Sequence, residues 1–392
     1  MGLDVAVVGA GAAGSSAAYH LARNGFRVAL LDAERLPRAK ACGGGVAASA
    51  ERWFPCGLVD VVDCVITRVR FTLDLVDPVE ALLPGDAPFW IVRRSRLDHY
   101  LAEQAAAAGA DLQQGRRVDG LLPEGDGWRL STSQGDLLCR RLVIAAGSCS
   151  NLARLAGIGP ERPRLAHALA VEAEGLDADP ETAHFEFGLV RSGFCWCFPR
   201  EGGMSMGIGS FLGRREADYD PVLKRLLHHF GADPRHVVRR PWPLRVWDGH
   251  RPLHRGAALA VGDAASLCDP FLAEGLRPAL LSGLRAAEAL ERDLHGGGKA
   301  ALAGYSQAMR REWGDSMAWG ARIAQVFYRF PRLGYQLGIK RPTAPRRIAQ
   351  ILSGELGYGD IAQRVIQRLG GGLLRGRVSS GGSSGSAHDT VD

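Results

Sequence analysis

Several features that would place this 392-residue chain in a membrane, repeat or exported class are missing from its sequence. No run of roughly 20 uncharged apolar residues occurs, which argues against a membrane-spanning helix. The first residues carry no basic flank and no cleavage pattern, so we expect no signal peptide and a cytoplasmic location. No internal repeat is evident.

The eight cysteines lack the spacing of a metal site or a redox pair. None of them forms a Cys-x-x-Cys pair, and none combines with histidine at a zinc spacing, which argues against a structural metal. We therefore predict no metal site, and free thiols in a reducing compartment.

The positive charge of the chain is concentrated near its C-terminus. The whole chain has a net charge of +6, whereas residues 328–377 hold ten Lys/Arg and two acidic residues, a net charge of +8. No recognised nucleic-acid-binding module accompanies this block, so we expect no nucleic acid partner. An anionic membrane surface and a diphosphate substrate fit the block equally well, so peripheral contact with the inner membrane face is one expectation.

A nucleotide-binding unit opens the chain. Residues 4–8 (DVAVV) predict a buried strand, the loop 9–14 (GAGAAG) leads into a small-residue helix, and residues 27–31 predict a second strand closed by an acid. In such a loop the glycines permit a tight turn, backbone approach to a pyrophosphate and close helix packing. NAD and FAD sites share this motif. The candidate contacts are Gly9, Gly11, Ala12, Ala13, Gly14 and the ribose-binding Asp32.

A second segment favours FAD over NAD. Residues 257–261 (AALAV) predict a strand that runs into Gly262 and Asp263, followed by residues 269–278 at the start of a helix. In this arrangement Asp263 would bind the ribityl chain, and the helix dipole would favour negative charge on a reduced flavin. The alternative is an ordinary helix-capping Asp. The further candidate contacts are Gly262, Pro270, Glu274, Gly275 and Leu276, with Gly147 from the intervening chain.

These patterns predict an α/β fold with three regions. Residues 1–160 and 250–295 would form a discontinuous, Rossmann-like FAD-binding domain. Residues 161–249 alternate short apolar and polar runs, which predicts an inserted, mostly antiparallel β-sheet substrate domain. Residues 296–370 would form a C-terminal helical region, and the Ser/Gly-rich residues 378–392 a disordered tail.

Four segments resemble the geranylgeranyl reductase family of FAD-dependent oxidoreductases, within the fold shared with flavin hydroxylases. They are residues 37–45 (PRAKACGGG), 194–199 (FCWCFP), 269–275 (DPFLAEG) and 351–356 (ILSGEL). Arg94 matches the position of a flavin-contacting arginine in that family. The resemblance also implies that Cys42, Gly43 and Gly44 lie against the flavin.

The resemblance implies hydride delivery from FAD to a carbon–carbon double bond of an isoprenoid or other hydrophobic lipid. Phe194, Trp196 and Phe198 would line the substrate tunnel, although an aromatic stripe in a sheet core is the alternative. Cys42, whose thiol pKa a nearby Lys40 would lower, would serve as a proton donor or gate. Because no second GxGxxG unit is present, the electrons would come from docked NAD(P)H or from a donor protein such as a ferredoxin.

Three departures from the family pattern leave the substrate open. Phe194 replaces a tyrosine, Leu272-Ala273 replaces Thr-Gly, and Ala146 stands where many relatives have Asp. The competing functions are a flavin-dependent aromatic monooxygenase and a non-catalytic, membrane-recruited flavoprotein. A flavin halogenase is disfavoured, since its Trp-x-Trp-x-Ile-Pro motif is absent.

Overall fold

The computed structural model of the protein describes residues 2–86, 88–211 and 218–364. The tail predicted at 378–392 and the end of the basic block from residue 365 lie outside these residues. The strands are, in chain order, β1 Leu3–Val8, β2 Val28–Asp32, β3 Gly45–Ala47, β4 Val62–Ile66, β5 Arg68–Leu73, β6 Val76–Leu82, β7 Phe89–Val92, β8 Asp111–Gln114, β9 Val118–Glu124, β10 Gly127–Thr132, β11 Leu137–Ile144, β12 Leu165–Glu174, β13 Thr182–Phe187, β14 Gly193–Arg200, β15 Gly203–Ser210, β16 Val238–Arg245, β17 His254–Arg255 and β18 Ala258–Ala260.

Helices surround these strands and dominate the C-terminal part of the chain. Short 3-10 turns occupy Ala48–Trp53, Leu58–Val61, Pro234–His236 and Gly262–Ala265, and π-helical segments interrupt the C-terminal helices at Asp293–Gly297, Arg310–Gly314 and Tyr335–Ile339. The α-helices are α1 Ala12–Arg23, α2 Arg94–Ala107, α3 Leu152–Leu155, α4 Asp220–His229, α5 Leu276–Arg292, α6 Gly298–Met309, α7 Asp315–Arg329, α8 Pro331–Gly334 and α9 Ala344–Leu352.

The first sheet has a parallel core of strands from the two ends of the predicted FAD-binding domain. Its order is β17-β18-β11-β1-β2-β8, and β9 and β10 extend it as a hairpin on β11. The β1, β2 and β18 strands are buried almost throughout, which explains their nearly continuous apolar sequence. Because β18 pairs with β11 in parallel, residues near 260 lie beside the glycine loop that follows β1.

The second sheet is mostly antiparallel, in the order β16-β12-β15-β14-β13-β5-β6. It extends beyond the predicted range 161–249, because β5 and β6 come from the part of the chain assigned to the FAD-binding domain. The β5 strand pairs in parallel with β13, with Arg68 opposite Thr182 and Phe71 opposite Phe185. This pairing joins segments more than 100 residues apart, so the local pattern of apolar residues carries no information about it.

The C-terminal helices are tied to both sheets by buried aromatic side chains. The hydroxyl of Tyr305 donates to the carbonyl of Ala260 over 2.7 Å, and that of Tyr335 donates to Phe71 over 2.9 Å. Between them the indole of Trp313 donates to Leu267. Because each bond satisfies a polar group in the core, the helices are held in register over the sheets. No helix among the described residues combines the length and apolarity needed to span a bilayer.

A polar cluster lies inside the second sheet, on the face turned away from the FAD-binding domain. The hydroxyl of Thr72 lies 2.6 Å from Nε2 of His184 and donates to Glu186, which also accepts from the amide of Leu75. Burial raises the pKa of Glu186 to about 7 and lowers the pKa of His184 to about 3. Both groups are therefore most stable in their neutral forms.

The raised pKa of Glu186 predicts a pH-dependent stability. Between its ordinary pKa of 4.5 and about 7 the folded protein keeps a proton on Glu186 that the unfolded chain releases, so stability falls as pH rises through this window. The loss attributable to this carboxyl is about 3 kcal/mol. Glu186→Gln removes this carboxyl group. As pH rises from about 4.5 to 8, the free energy of unfolding of the variant, measured in urea, should therefore increase relative to that of wild type by about 3 kcal/mol.

A glutamate at the surface provides the control. The side chain of Glu161 is exposed, so Glu161→Gln should leave the pH dependence of unfolding as it is in wild type. A Glu186→Gln variant with the pH dependence of wild type would contradict the raised pKa.

Candidate active site

The loop after β1 has the shape that a bound pyrophosphate needs. Gly9 has a φ of +108°, and a Cβ there would lie 2.3 Å from the carbonyl oxygen of Ala145. A Cβ on Gly14 would lie 1.8 Å from the carbonyl oxygen of Gly9, so neither position accepts a side chain. Gly11 caps α1 in an extended conformation, and the first turn of α1 has no acidic residue. The amides of this turn are therefore free to bind an anion.

Two guanidinium groups face this helix N-terminus, and one buried carboxylate holds both. A Cβ on Gly11 would lie 3.7 Å from Arg38 Nη2 and 3.9 Å from Arg94 Nη2. Arg38 binds Asp98 Oδ2 over 3.1 Å, and Arg94 binds the same oxygen over 2.8 Å. Burial by itself would lower the pKa of Arg94, but the charge and hydrogen bonds of Asp98, together with other nearby negative groups, outweigh burial and raise it. The two cations thus stay charged beside the glycine loop.

Asp32 closes the loop from the end of β2. Its carboxylate accepts the amide of Ala10 over 2.8 Å and the amide of Glu34 over 3.0 Å, and Arg38 Nη2 lies 3.4 Å away. A carboxylate has capacity for further donors such as ribose hydroxyls. Asp32 therefore both fixes the loop and remains suited to the predicted ribose contact.

The Gly262-Asp263 segment packs against the glycine loop where the N-termini of α1 and α5 come together. A Cβ on Gly262, whose φ is +57°, would lie 2.8 Å from the Cβ of Ala13 in the first turn of α1. Asp263 lies next to the other helix N-terminus, since a Cβ on Gly275 would be 3.6 Å from Asp263 Oδ1. Lys40 Nζ lies 3.7 Å from Asp263 Oδ2. Lys40 is thus engaged with Asp263, whereas the sequence associated it with Cys42.

Together these residues fit FAD. The pyrophosphate would lie at the N-terminus of α1 beside Arg38 and Arg94, the ribityl chain at Asp263, and the isoalloxazine at the N-terminus of α5. The fit rests on the space left by the glycines and on the two cations, both observed here. Among the residues that the structure describes, no group of three or more His, Cys, Asp and Glu could hold a metal ion.

A central cavity joins the nucleotide loops to the second sheet. From the predicted residues it collects Gly11, Ala12, Ala13, Cys42, Gly43, Gly44, Arg94, Gly147, Phe194, Trp196, Phe198, Asp263, Glu274, Gly275 and Leu276. The remaining predicted residues do not line the cavity: Gly9, Gly14, Asp32, Gly262 and Pro270.

The aromatic wall of the cavity comes from alternate residues of β14. Phe194, Trp196 and Phe198 point inward, while Cys195 and Cys197 belong to the core on the other face. The indole of Trp196 lies between two glycines, because a Cβ on Gly207 would be 2.0 Å and one on Gly43 3.0 Å from its ring. The Trp196 Nε1 atom is buried without a hydrogen-bond partner. The wall is therefore flat and apolar, and the ring of Trp196 is held in place by the glycines on its two sides.

Cys42 lies at the junction of the loop 37–45 and the sheet. It is a half-buried free thiol, and its sulfur accepts the amide of Gly44 over 3.3 Å. Its carbonyl accepts the hydroxyl of Ser205 over 3.4 Å. A Cβ on Gly45 would lie 2.5 Å from the ring of Phe89, so the glycine run lets the loop press against the aromatic wall.

The loop 269–275 carries two buried carboxyl groups. Asp269 accepts the amides of Phe271 and Leu272 and, over 2.6 Å, the hydroxyl of Tyr358. Glu274 Oε2 accepts a hydrogen bond from Arg277 Nη2 over 2.6 Å, while Glu274 Oε1 is buried and has no partner among the residues that the structure describes. Burial raises the pKa of Glu274 to about 7, although the charge of Arg277 lowers it. Glu274 can therefore hold or release a proton near neutral pH at the cavity wall.

Two of the predicted departures have visible consequences. Ala273 has a φ of +58°, a left-handed conformation that glycine adopts without cost and alanine does not. Its neighbour Leu272 fills the cavity wall with an apolar side chain. The loop therefore keeps its shape at the expense of local strain, and it is more apolar than the Thr-Gly pattern would make it.

Sequence reasoning missed the residues that act behind the cavity wall. Arg38, Asp98, Arg277 and Tyr358 hold the functional groups in place, but none of them was among the predicted site residues, although Arg38 and Arg277 lie within the segments 37–45 and 269–278. Only Asp98 could have been predicted from the sequence. It follows Arg94 by four residues in a helix, a spacing at which opposite charges form an ion pair. Tyr358 reaches Asp269 from a segment 89 residues away, which no local pattern reveals.

The chain matches a family of FAD-dependent oxidoreductases and is similar to two reductases. A family described as FAD dependent oxidoreductase matches residues 4–55 and 73–292. The chain is 33% identical to digeranylgeranylglycerophospholipid reductase 2 of Methanothermobacter thermautotrophicus over 83% of this chain and 88% of the relative. It is 31% identical to menaquinone reductase of Mycolicibacterium smegmatis over 73% of this chain and 75% of the relative.

Solved structures share the fold. A geranylgeranyl bacteriochlorophyll reductase-like protein from Thermoplasma acidophilum superposes with a TM-score of 0.76 at 21% identity, covering 89% of this chain and 91% of that one. A flavin-dependent brominase superposes with a TM-score of 0.71 at 20% identity, covering 94% and 99%. The predicted fold class, a Rossmann-like FAD-binding domain with an antiparallel sheet and a helical region, is confirmed.

The glycine loop predicts that two alanine substitutions have different effects. Gly14→Ala forces a Cβ against the backbone of Gly9 and should lower both the melting temperature and the flavin content. Gly11→Ala places a Cβ where the nearest atoms are 3.7 Å away, so the fold should persist. Its flavin affinity should still fall on the order of tenfold or more, because the Cβ occupies the approach of the pyrophosphate. Circular dichroism melting and flavin titration measure the two effects. Wild-type affinity in Gly11→Ala would place the pyrophosphate elsewhere.

Proposed function

This chain belongs to the geranylgeranyl reductase family of FAD-dependent oxidoreductases, and we propose that it reduces carbon–carbon double bonds of an isoprenoid group. The observation that carries the proposal is the division of the central cavity into a nucleotide-binding end and an apolar aromatic end. The chain's likeness to a relative named for reducing a digeranylgeranyl lipid supports the same substrate class.

The apolar end suits a long hydrocarbon chain. Phe185, Phe194, Phe211 and Leu244 line it, and Ala168 and Ala170 widen it. The acidic and basic residues of the cavity (Lys40, Arg94, Asp263 and Glu274) lie on the glycine loops and helix termini of the other end. An isoprenoid chain would bury its surface against the aromatic wall without desolvating a charge.

Reduced FAD, when bound, supplies the hydride for the double bond. The protein orients the isoprenoid, since the flat ring of Trp196 is fixed between Gly43 and Gly207. The second sheet and Leu352 of α9 line the cavity, and a bound isoprenoid would displace water from it, which would protect a reduced cofactor and strengthen the electrostatic interactions within. The source of the electrons, NAD(P)H or a donor protein such as a ferredoxin, stays a prediction.

Reduction of a double bond also needs a proton, and the cavity offers two donors. The sequence assigned this role to Cys42, whose sulfur accepts a hydrogen bond from Gly44. Glu274 is the stronger candidate, because its buried Oε1 has no partner and its pKa near 7 keeps it partly protonated at neutral pH. We propose that Glu274 Oε1 carries the proton and that Arg277 steadies the carboxylate after release.

The proposed function is tested with the flavin-loaded protein under anaerobic conditions. Dithionite reduces the flavin, geranylgeranyl diphosphate is added, and flavin absorbance and product mass are followed. Reoxidation with a gain of two mass units per reduced double bond is expected. A flavin that stays reduced with this compound and with digeranylgeranyl lipids would refute the proposal, and a flavin hydroperoxide formed with oxygen and an aromatic substrate would indicate the monooxygenase instead.

Substitution of Glu274 tests the proton donor. Glu274→Gln preserves the shape of the side chain and removes its acidic proton, so kcat should fall on the order of a hundredfold while KM changes little. In wild type kcat should fall as pH rises through about 7, because the carboxyl loses its proton there, and this dependence should disappear in the variant.

Cys42→Ser provides the discriminating comparison. If Glu274 is the donor, the serine variant should retain the pH profile of wild type, because the thiol does not supply the proton. The opposite pattern, in which Cys42→Ser abolishes turnover and Glu274→Gln keeps the wild-type profile, would return the role to Cys42.

A further inference from the structure

Four large apolar side chains are exposed around the break between α7 and α8. Val326, Phe330, Leu333 and Leu337 are 68%, 54%, 57% and 52% exposed, and we refer to them as the apolar patch. Single exposed apolar residues are ordinary, but several within one short helical stretch mark an interaction surface. The patch consists of two pairs at i, i+4 spacing, Val326 with Phe330 and Leu333 with Leu337.

The patch is exposed because the opposite faces of the same helices are anchored in the core. Phe327, Tyr328 and Tyr335 are buried, and Tyr328 donates a hydrogen bond to the carbonyl of Phe271. The two helices pack closely, since a Cβ on Gly334 would lie 2.7 Å from the ring of Phe327. The apolar patch is therefore held outward by a rigid support.

Cations surround the apolar patch. Arg329, Arg332, Lys340 and Arg341 are exposed around it. Arg332 and Lys340 pair with aspartates of the β5–β6 turn, whereas neither Arg329 nor Arg341 has an acidic partner in the part of the chain that the structure describes. An apolar face with a basic rim matches the surface of a bilayer that contains anionic lipids.

A surface groove beside the apolar patch adjoins buried aromatic rings that reach the lining of the central cavity. It is formed by residues 188–192 and 325–331, including Val326, Tyr328 and Phe330. The ring of Tyr328 stacks on Phe211 at 5.8 Å, and Phe211 stacks on Phe194 at 5.3 Å. Because Phe211 and Phe194 line the central cavity, a continuous aromatic stack connects it with the groove.

We propose that the apolar patch and its basic rim dock on an anionic phospholipid bilayer, and that the groove admits the isoprenoid chain of a lipid toward the cavity past Tyr328 and Phe211. The role of the groove rests on the proposed reductase function, whereas the docking of the patch does not. A bilayer is the source of substrate because a lipid with long isoprenoid chains partitions into membranes.

Charge argues against the other occupants of the apolar patch. A second copy in a two-fold contact would bring the basic rim against itself. The chain's own residues 365–377 carry Arg368, Arg375 and Arg377 and no acidic residue, so they share the sign of the rim. An anionic bilayer is complementary to both the charge and the apolarity.

The docking is tested by cosedimentation of the flavin-loaded full chain with phosphatidylcholine vesicles, with and without phosphatidylglycerol. We expect strong binding only with the anionic lipid, weakened by high salt. Leu333→Asp/Leu337→Asp should reduce the partition coefficient on the order of tenfold or more, and Arg329→Glu/Arg341→Glu should do the same. Circular dichroism and flavin content establish that the exposed substitutions leave the fold intact.

Matched controls test whether the position of the substitutions, rather than the type of residue changed, weakens vesicle binding. Leu122→Asp/Leu138→Asp replaces two leucines of similar exposure, 60% and 50%, far along the chain in β9 and β11. Arg154→Glu/Arg311→Glu changes the net charge by the same amount at other exposed sites. Both controls should bind like wild type. Equal losses in patch and control variants, or no binding by wild type, would overturn the docking, as would a dimer in sedimentation that Leu333→Asp/Leu337→Asp dissolves.

Turnover tests the role of the groove. Leu333→Asp/Leu337→Asp should reduce an isoprenoid lipid embedded in vesicles on the order of tenfold more slowly than wild type, and geranylgeranyl diphosphate in detergent at the wild-type rate. Gln325→Trp, which narrows the groove, should slow the vesicle reaction by a similar factor without weakening vesicle binding. A wild-type vesicle rate in Gln325→Trp would overturn the role of the groove. A protein that binds vesicles but reduces no isoprenoid in either form would instead refute the proposed function and leave the docking standing.

Discussion

The structure depends on the close approach of α1 to its neighbours, which three glycines permit. A Cβ on Gly14 would lie 1.8 Å from the carbonyl of Gly9, one on Gly262 2.8 Å from Ala13, and one on Gly283 2.5 Å from the carbonyl of Ala13. This contact brings together two nucleotide-binding segments about 250 residues apart. It also points the N-termini of α1 and α5 into one cavity, so the dipoles of both helices act on the same ligand.

The second sheet uses the two-residue period of a strand to separate two environments. In β14 the aromatic residues at 194, 196 and 198 face the cavity, and Cys195 and Cys197 face a core that includes Glu186 and His184. Burial favours the neutral forms of Glu186 and His184, and Thr72 contacts both, so the cluster can lie behind the wall with little charge near the substrate. A shift of one residue in register would exchange the two faces, so the pairing of β13, β14 and β15 protects the apolar character of the cavity.

Local patterns predicted the parts of the site that lie on one segment. The glycine loop, Asp32, the Gly262-Asp263 turn and the alternation in β14 follow from spacing and strand period alone. What remained hidden depends on contacts between distant segments. The β5–β6 hairpin reads like any amphipathic hairpin, and its sheet is decided by pairing with β13. Tyr358 reads as one aromatic residue in a helical region, and its role appears only when its hydroxyl reaches Asp269.

The carboxyl groups behind the cavity illustrate why such contacts are needed. Burying a carboxylate is costly unless donors surround it, and Asp269 receives three of them, from Phe271, Leu272 and Tyr358. Glu274 has only Arg277, and its second oxygen is left unsatisfied, so burial raises its pKa to about 7. The same loop therefore holds one carboxyl group in place with a full set of partners and leaves the next one short of them. Burial raises the pKa of Asp269 as well, against the hydrogen bonds of its three donors, so the unpartnered oxygen rather than a raised pKa alone makes Glu274 the proposed proton carrier.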